Sequence, residues 1–380
     1  MRINVPSLAT KPIKAVLSLT RECNMSCSYC YAGASNKQNL SYQTARKAID
    51  FILDRAHDGQ KITFYFFGGE PLLRFDMVRQ ITAYIRNHDK SRNTHTEFAL
   101  TTNGTLLSPE ILEFFRKEQF RLCISMDGVE VAHNRHRRFE SGLPTFREVV
   151  DNLQLSQNYL SDIQVNLVYG PETLLYLPES VVFIRFLGID SLHLSPDITS
   201  AWPTDSFASL EAIFNRIADD YVAMYENERE MAIQPFDSKL IVLLKGGYDV
   251  WDTCRAGERD WSFSARGNIY ACERFIGQDR EDRFCLGNVY TGLSESQVSS
   301  GLCQHHLTDN RCRDCRISRY CMNWCACSNY HMTGDPHRVS VFLCENEKAV
   351  IKVSADILSR LQNNTLFLDH MITYMQAATA

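Results

Sequence analysis

The chain reads as an α/β protein: a parallel sheet flanked by helices, then a small cysteine-rich unit that holds metal, then a C-terminal helix. Three observations carry this expectation. From residue 15 to about 195, short β-rich runs alternate with longer helical patterns, the signature of successive βα units. Of the 14 cysteines, ten lie at or beyond Cys254. Residues 346–375 carry a continuous helical pattern.

In order, the strands are expected at 15–20, 61–67, 96–101, 120–126, 162–168 and 190–195, with helices near 41–57, 75–88, 108–118, 145–158 and 176–187. The alternation fits a doubly wound open sheet as well as a barrel of βα units. In either, ligands gather at the C-terminal ends of the strands. Residues 204–246 read as helical connecting material. The hydrophobic share of 44% and charged share of 22% are those of an ordinary globular protein. Residues 1–14 lack the apolar core of a signal peptide, and no run is long enough to span a bilayer, so a cytoplasmic location is expected. The cytosol keeps thiols reduced, so so many cysteines point to metal rather than to disulfides. The net charge is −5 and the one dense basic cluster is Arg135-His136-Arg137-Arg138, read as a solvated or anion-facing loop. This leaves little electrostatic footprint for nucleic acid.

The chemistry centres on Cys23-Asn-Met-Ser-Cys27-Ser-Tyr-Cys30, a C-x3-C-x2-C run directly after the first expected strand. Thiolates are soft ligands suited to iron–sulfur clusters or zinc. A structural zinc site closes with four ligands, and an ordinary four-iron cluster takes four Cys. Three leave one coordination position for a substrate or cofactor. After the second strand comes Gly68-Gly69-Glu70-Pro71, where paired glycines let backbone approach a ligand and the Glu offers a carboxylate to an ammonium group. Thr101-Thr102-Asn103-Gly104 and Ser125-Met126-Asp127-Gly128 end the third and fourth strands, and both also suit turns.

With Tyr29 before Cys30 and Gly-Gly-Glu-Pro one βα unit later, the chain resembles the radical SAM superfamily. That resemblance selects a partial (β/α)6 TIM-type barrel over the doubly wound sheet. It implies a [4Fe-4S] cluster on Cys23, Cys27 and Cys30 whose free iron chelates S-adenosylmethionine (SAM), which is cleaved to a 5′-deoxyadenosyl radical. It also implies that Gly68, Gly69, Glu70 and Pro71 hold the SAM amino group. Asn103, Ser125 and Arg137 would border the SAM pocket, and Asn166 and Ser195 occupy positions suited to adenosine contacts.

The distal cysteines run Cys254-x12-Gly267-x4-Cys272, then Cys312-x2-Cys315-x5-Cys321-x3-Cys325, then Cys344. This order is similar to the SPASM extension, which binds two auxiliary [4Fe-4S] clusters, giving three in all. By resemblance Cys312, Cys315, Cys321 and Cys344 hold the distal cluster, and Cys254, Cys272 and Cys325 the proximal one. The expected units are a barrel over 1–203, a helical linker over 204–250, the SPASM unit over 251–347 and a terminal helix over 348–380. Residues 255–271 lack the fourth proximal cysteine that relatives often carry. Either one iron is open, or Asp260, Cys327, Cys285 or Cys303 fills the place. Cys123, inside a strand, reads as a small buried hydrophobe. A zinc ribbon on Cys312, Cys315, Cys321 and Cys325 would leave Cys254, Cys272 and Cys344 unexplained.

Family members with auxiliary clusters act on peptides or proteins. Sulfatase-maturating relatives carry an Asp base after the Cys of Gly-x4-Cys. Here that position is Glu273, and Cys272-Glu-Arg-Phe-Ile-Gly277 looks more like the cross-linking maturases of ribosomal peptides. The expected activity is therefore an intramolecular cross-link, through a thioether, carbon–carbon or carbon–oxygen bond, with Glu273 the candidate base. The alternatives are formylglycine formation and, further off, a non-enzymatic iron–sulfur or zinc protein. Expected partners are a peptide or protein substrate and an electron donor such as flavodoxin or ferredoxin, with no nucleic acid and no membrane. The stretch before Cys23 is too short for a separate leader-binding domain, so a leader would be read by the barrel, the SPASM unit or a separate leader-binding protein.

Overall fold

The computed structural model describes residues 12–33, 37–249, 252, 254, 257–279, 284–294, 310–322 and 324–379. All six expected strands are present: β1 (Ile13–Thr20), β2 (Lys61–Gly68), β3 (His95–Thr102), β4 (Phe120–Ser125), β5 (Ile163–Tyr169) and β6 (Ser191–Pro196). Between them lie α1 (Tyr42–Leu53), α2 (Phe75–Asn87), α3 (Pro109–Glu118), α4 (Glu130–His136), α5 (Phe146–Gln157) and α6 (Leu177–Phe186). Local signals set several starts. The Ser41 side chain accepts from Thr44 N ahead of α1, and the Ser108 side chain caps α3, where Pro109 opens the first turn. The short helix α4 was not anticipated.

Period-2 alternation divides the strand faces. Ala15, Leu17 and Leu19 of β1 are buried in the main core with Ala45, Ala48 and Ile49 of α1. The opposite face, with Lys14, Val16 and Ser18, looks inward. In β4 and β5 the buried residues include Leu122, Ile124, Val165 and Leu167, while Ser125 and Asn166 are only half buried. A doubly wound sheet reverses its strand order at a switch point. Here the order runs β1-β2-β3-β4-β5-β6-β7 without reversal, with β7 (Ala232–Gln234) parallel to β6. This is barrel winding left open at one edge.

The cysteine-rich region continues the barrel sheet. Its first strand, β8 (Asp260–Phe263), pairs parallel with β1, placing Lys14 opposite Asp260. It thus occupies the side of β1 that an eighth strand takes in a closed barrel. The strands β9 (Asn268–Tyr270), β10 (Cys285–Asn288) and β11 (Gly292–Leu293) continue the sheet antiparallel. The segment expected as a helical linker is α7 (Phe207–Glu226), β7 and α8 (Phe236–Lys245), so it adds a strand as well as helices. After α9 (Asn310–Arg313) and α10 (Ala326–Thr333), the tail forms two helices rather than one, α11 (Val341–Leu361) and α12 (Thr365–Thr379). Trp202 stacks flat on Phe342 at 3.7 Å, tying α11 to the segment after β6. Among the described residues no helix is long and apolar enough to cross a membrane.

Candidate active site

The cysteine loop leaves the C-terminal end of β1 and is stitched to the end of β2. Gly69 N donates to Thr20 O at 2.7 Å and Glu70 N to Glu22 O at 2.8 Å. This contact explains the glycines. A Cβ on Gly68 would lie 2.3 Å from Thr20 O, and one on Gly69 2.2 Å from Glu22 O. Only bare backbone lets β2 approach the loop so closely. Glu70 is also held inside this turn. Its carboxylate is fully buried and accepts from Leu72 N, the Thr102 hydroxyl and Asn103 N at 2.8 to 3.0 Å. Burial pushes it up to about 7, against those hydrogen bonds. A carboxylate so engaged holds the turn together.

A second set of contacts holds the loop from the β3 and β4 ends. Asn103 Nδ2 donates to Asn24 Oδ1 at 2.9 Å and lies 3.8 Å from Cys23 Sγ, while Asn24 Nδ2 reaches the Thr105 hydroxyl. The Tyr29 hydroxyl donates to Asp127, and Arg137 sits 3.1 Å from the same carboxylate and 5.3 Å from the Tyr29 ring. Arg137 and Asp127 are 8% and 1% exposed in their side chains, so this ion pair is buried. Arg137 is therefore buried, not part of a solvated loop. It is neither in a solvated basic patch nor on the cavity wall, but fixes Tyr29 and, through its charge, the Cys27 thiol. The other basic residues are also engaged: His136 Nδ1 contacts the Ser28 hydroxyl at 2.7 Å and Arg135 pairs with Glu172. His133 is fully buried, with Nδ1 accepting from Asp127 N and Nε2 meeting the Thr145 hydroxyl. Burial pushes it down to about 4, so the ring is neutral at pH 7. Sequence reading missed Asn24, Asp127 and Thr105 as loop anchors, because each acts through a contact distant in sequence.

Burial pushes the Cys23 thiol up to about 11 and raises Cys27 as well. Coordination of iron must therefore displace protons from these thiols. All three loop cysteines border a cavity of about 340 Å³ together with Gly68, Gly69 and Glu273. Glu273 thus faces the space above the loop although 243 residues of chain separate it from Cys30. Burial alone would raise its carboxyl, but the Lys14 ammonium at 3.8 Å prevails and holds it below its ordinary value. Asn103, Ser125, Asn166 and Ser195 do not border this cavity. Ser125 and Asn166 are register partners, and Asn166 Oδ1 is buried without a hydrogen-bond partner. Such an orphan acceptor suits a ligand's donor. Ser195 is half buried beside Val168.

Seven cysteines of this region fall into two groups. Cys312, Cys315, Cys321 and Cys344 border one small cavity of about 40 Å³, the four thiols expected to act together. In the other group, Cys325 Sγ lies 3.4 Å from Cys327 Sγ, and Cys327 shares a hydrogen bond with Cys272. Cys254 Sγ lies 3.8 Å from an Asp260 carboxylate oxygen. Cys285 donates to Gly287 O. Cys303 is outside the described residues. Cys123 is half buried on the inward face of β4, its thiol pushed up to about 12 by burial.

An open three-thiol loop at the end of β1, stitched to a Gly-Gly-Glu-Pro turn at the end of β2, points to one class of enzyme: residues 17–184 match the model of the Radical SAM superfamily, so the chain carries a radical SAM domain. A cysteine-type anaerobic sulfatase-maturating enzyme of Clostridium novyi is 22% identical over 92% of this chain and 96% of its own length. The radical SAM cyclopropyl synthase TigE of Paramaledivibacter caminithermalis is 23% identical over 82% of this chain and 68% of its own. An uncharacterized protein of Methanocaldococcus jannaschii is 31% identical, over 47% of this chain and 60% of its own length. Among solved structures, anSMEcpe with bound AdoMet and Cp18Cys peptide superposes with a TM-score of 0.76 at 20% identity, covering 93% of this chain and 99% of that one. Streptococcus suis SuiB bound to its precursor peptide SuiA gives 0.60 at 15%, covering 88% and 76%. At these identities the structures share the fold.

Proposed function

We propose that the protein is a peptide maturase that takes a hydrogen atom from a ribosomally made peptide and closes an intramolecular cross-link. Bound at Cys23, Cys27 and Cys30, a [4Fe-4S] cluster with SAM supplies a 5′-deoxyadenosyl radical when reduced by one electron. One observation carries the reading: Glu273 shares a cavity with the three loop cysteines, which supports it as the carboxylate nearest the reacting carbon. Charged through its pairing with Lys14, Glu273 is placed to accept the proton released as the new bond forms. The chain's other residues hold the loop in place. Gly68 and Gly69 let β2 reach it, Asn103 and Asn24 anchor Cys23, and Asp127 with Arg137 fixes Tyr29. Ser125, Asn166 and Ser195 are assigned to adenosine contacts, a role supported by the orphan acceptor on Asn166. The two thiol groups near Cys272 and Cys312 are assigned one auxiliary [4Fe-4S] cluster each. Peptides bound in the anSMEcpe and SuiB structures support a peptide substrate.

A second reading, oxidation of a Cys or Ser to formylglycine, is favoured by the sulfatase-maturating relatives. Under either reading an electron donor such as flavodoxin or ferredoxin is required, and the cytoplasm is the expected setting. The two are separated by co-expression with a short peptide from a neighbouring gene, followed by mass spectrometry. A cross-link gives a product lighter by two hydrogens, unreactive with hydrazide and missing fragments between two residues. A hydrazide-reactive aldehyde would replace the cross-linking reading with the formylglycine one.

A further inference from the structure

The residue after Glu273 turns the other way. Arg274 Nη1 donates to the Ser328 hydroxyl at 2.9 Å, and that oxygen lies 3.2 Å from Cys325 Sγ. The hydroxyl has one proton. Occupied on its oxygen by the guanidinium, it is free to donate that proton to the sulfur, giving a relay from cation to hydroxyl to thiolate. Ser328 is 9% exposed and lies in the first turn of α10, which Cys325 caps, so both sulfur and hydroxyl sit at the positive end of the helix. Three further contacts fix the geometry. The Arg274 guanidinium lies 5.9 Å from the Tyr31 ring, His331 Nε2 meets Arg274 O at 2.9 Å, and His331 packs edge-on against Tyr31 at 6.1 Å. Tyr31 follows Cys30, so the same side chain touches the loop of the first thiol site and the sulfurs of the second. Glu273, the adjacent carboxylate, is paired with Lys14 instead.

We propose that Arg274, acting through the Ser328 hydroxyl, raises the reduction potential of the auxiliary cluster assigned to Cys254, Cys272 and Cys325. The inference rests on the cluster assignment made above. Hydrogen bonds and net positive charge near cluster sulfurs favour the reduced form, which carries one more negative charge. Arg274 is a positioning residue in this scheme, since it does not touch the substrate.

The test is a redox titration of the reconstituted holoenzyme, followed by electron paramagnetic resonance, for wild type, R274Q, R274K and S328A. R274Q and S328A are expected to move the potential of one auxiliary cluster to more negative values with iron content unchanged, and R274K to stay near wild type. Because the two residues act in series, R274Q/S328A should move it no further than R274Q. A wild-type potential in R274Q and S328A, or additive shifts in the double variant, would overturn the relay. If R274Q fails to assemble its clusters, S328A and R274K decide the matter by the same criterion. A C272A variant separately checks the underlying assignment: full iron there would remove the cluster itself, whatever the arginine does.

Discussion

Replacing Gly69 by Ala isolates the contact between β2 and the cysteine loop. The added Cβ would stand 2.2 Å from Glu22 O, 2.7 Å from Glu22 C and 3.1 Å from Arg21 C, all backbone atoms that no rotamer change can move. An ordinary contact needs more than 3.0 Å, so loop and strand must separate by about 1 Å. That stretches Gly69 N to Thr20 O and Glu70 N to Glu22 O from 2.7 and 2.8 Å beyond hydrogen-bonding range. Two lost hydrogen bonds at about 1 kcal/mol each, plus about 1–3 kcal/mol of overpacking, give about 3–5 kcal/mol. Since the displaced residues adjoin Cys23, SAM cleavage should fall by at least about tenfold. Anaerobic assay of 5′-deoxyadenosine and chemical denaturation measure both effects. Gly33→Ala is the control: it lies beyond Cys30 at φ 75° with nothing within 4 Å of an added Cβ. It should carry only left-handed strain, about 1–2 kcal/mol. If Gly69→Ala matched wild type in cleavage and stability, the close approach would not be what positions the loop.

Replacing Cys23, Cys27 or Cys30 with Ala should abolish 5′-deoxyadenosine formation, because each removes one of three protein ligands. Cys312→Ala or Cys315→Ala should lose about a third of the iron and keep some cleavage, and full iron would contradict the distal assignment. Arg137→Ala leaves the Asp127 carboxylate buried and unpaired, a loss of about 3–5 kcal/mol by chemical denaturation. His133 supplies a pH signature. Its folded-state pKa of about 4 lies below the ordinary 6.5, so between those values the unfolded chain binds more protons and stability rises with pH. Its contribution is full above pH 6.5 and is lost as pH falls toward 4. Between pH 6.5 and 5.5 the loss is about 1 kcal/mol, and a His133→Gln variant should lack that slope in denaturation curves.

The six strands and the helices between them were legible because period-2 and period-3.6 patterns are local. The position of β8 was not. Its pairing of Lys14 with Asp260 joins residues far apart in sequence, and four residues are too short a pattern to read. The site divides in the same way. Cysteine spacing displayed the loop and the distal set, since ligands of one centre cluster in sequence. Asp127, Asn24 and Ser328 are ordinary polar residues whose roles arise only from a distant partner. The burial of Glu70 and Arg137 was not legible either, because composition cannot tell an exposed charge from one buried among hydrogen-bond partners.

The central claim is that Cys23, Cys27 and Cys30 hold an open cluster that cleaves SAM. Anaerobically reconstituted wild-type protein, incubated with SAM and dithionite, should contain iron and sulfide, absorb near about 400 nm as iron–sulfur proteins do, and release 5′-deoxyadenosine, whereas Cys27→Ala releases none. Protein that instead binds zinc, lacks that absorbance and yields no 5′-deoxyadenosine under the same conditions would contradict the account.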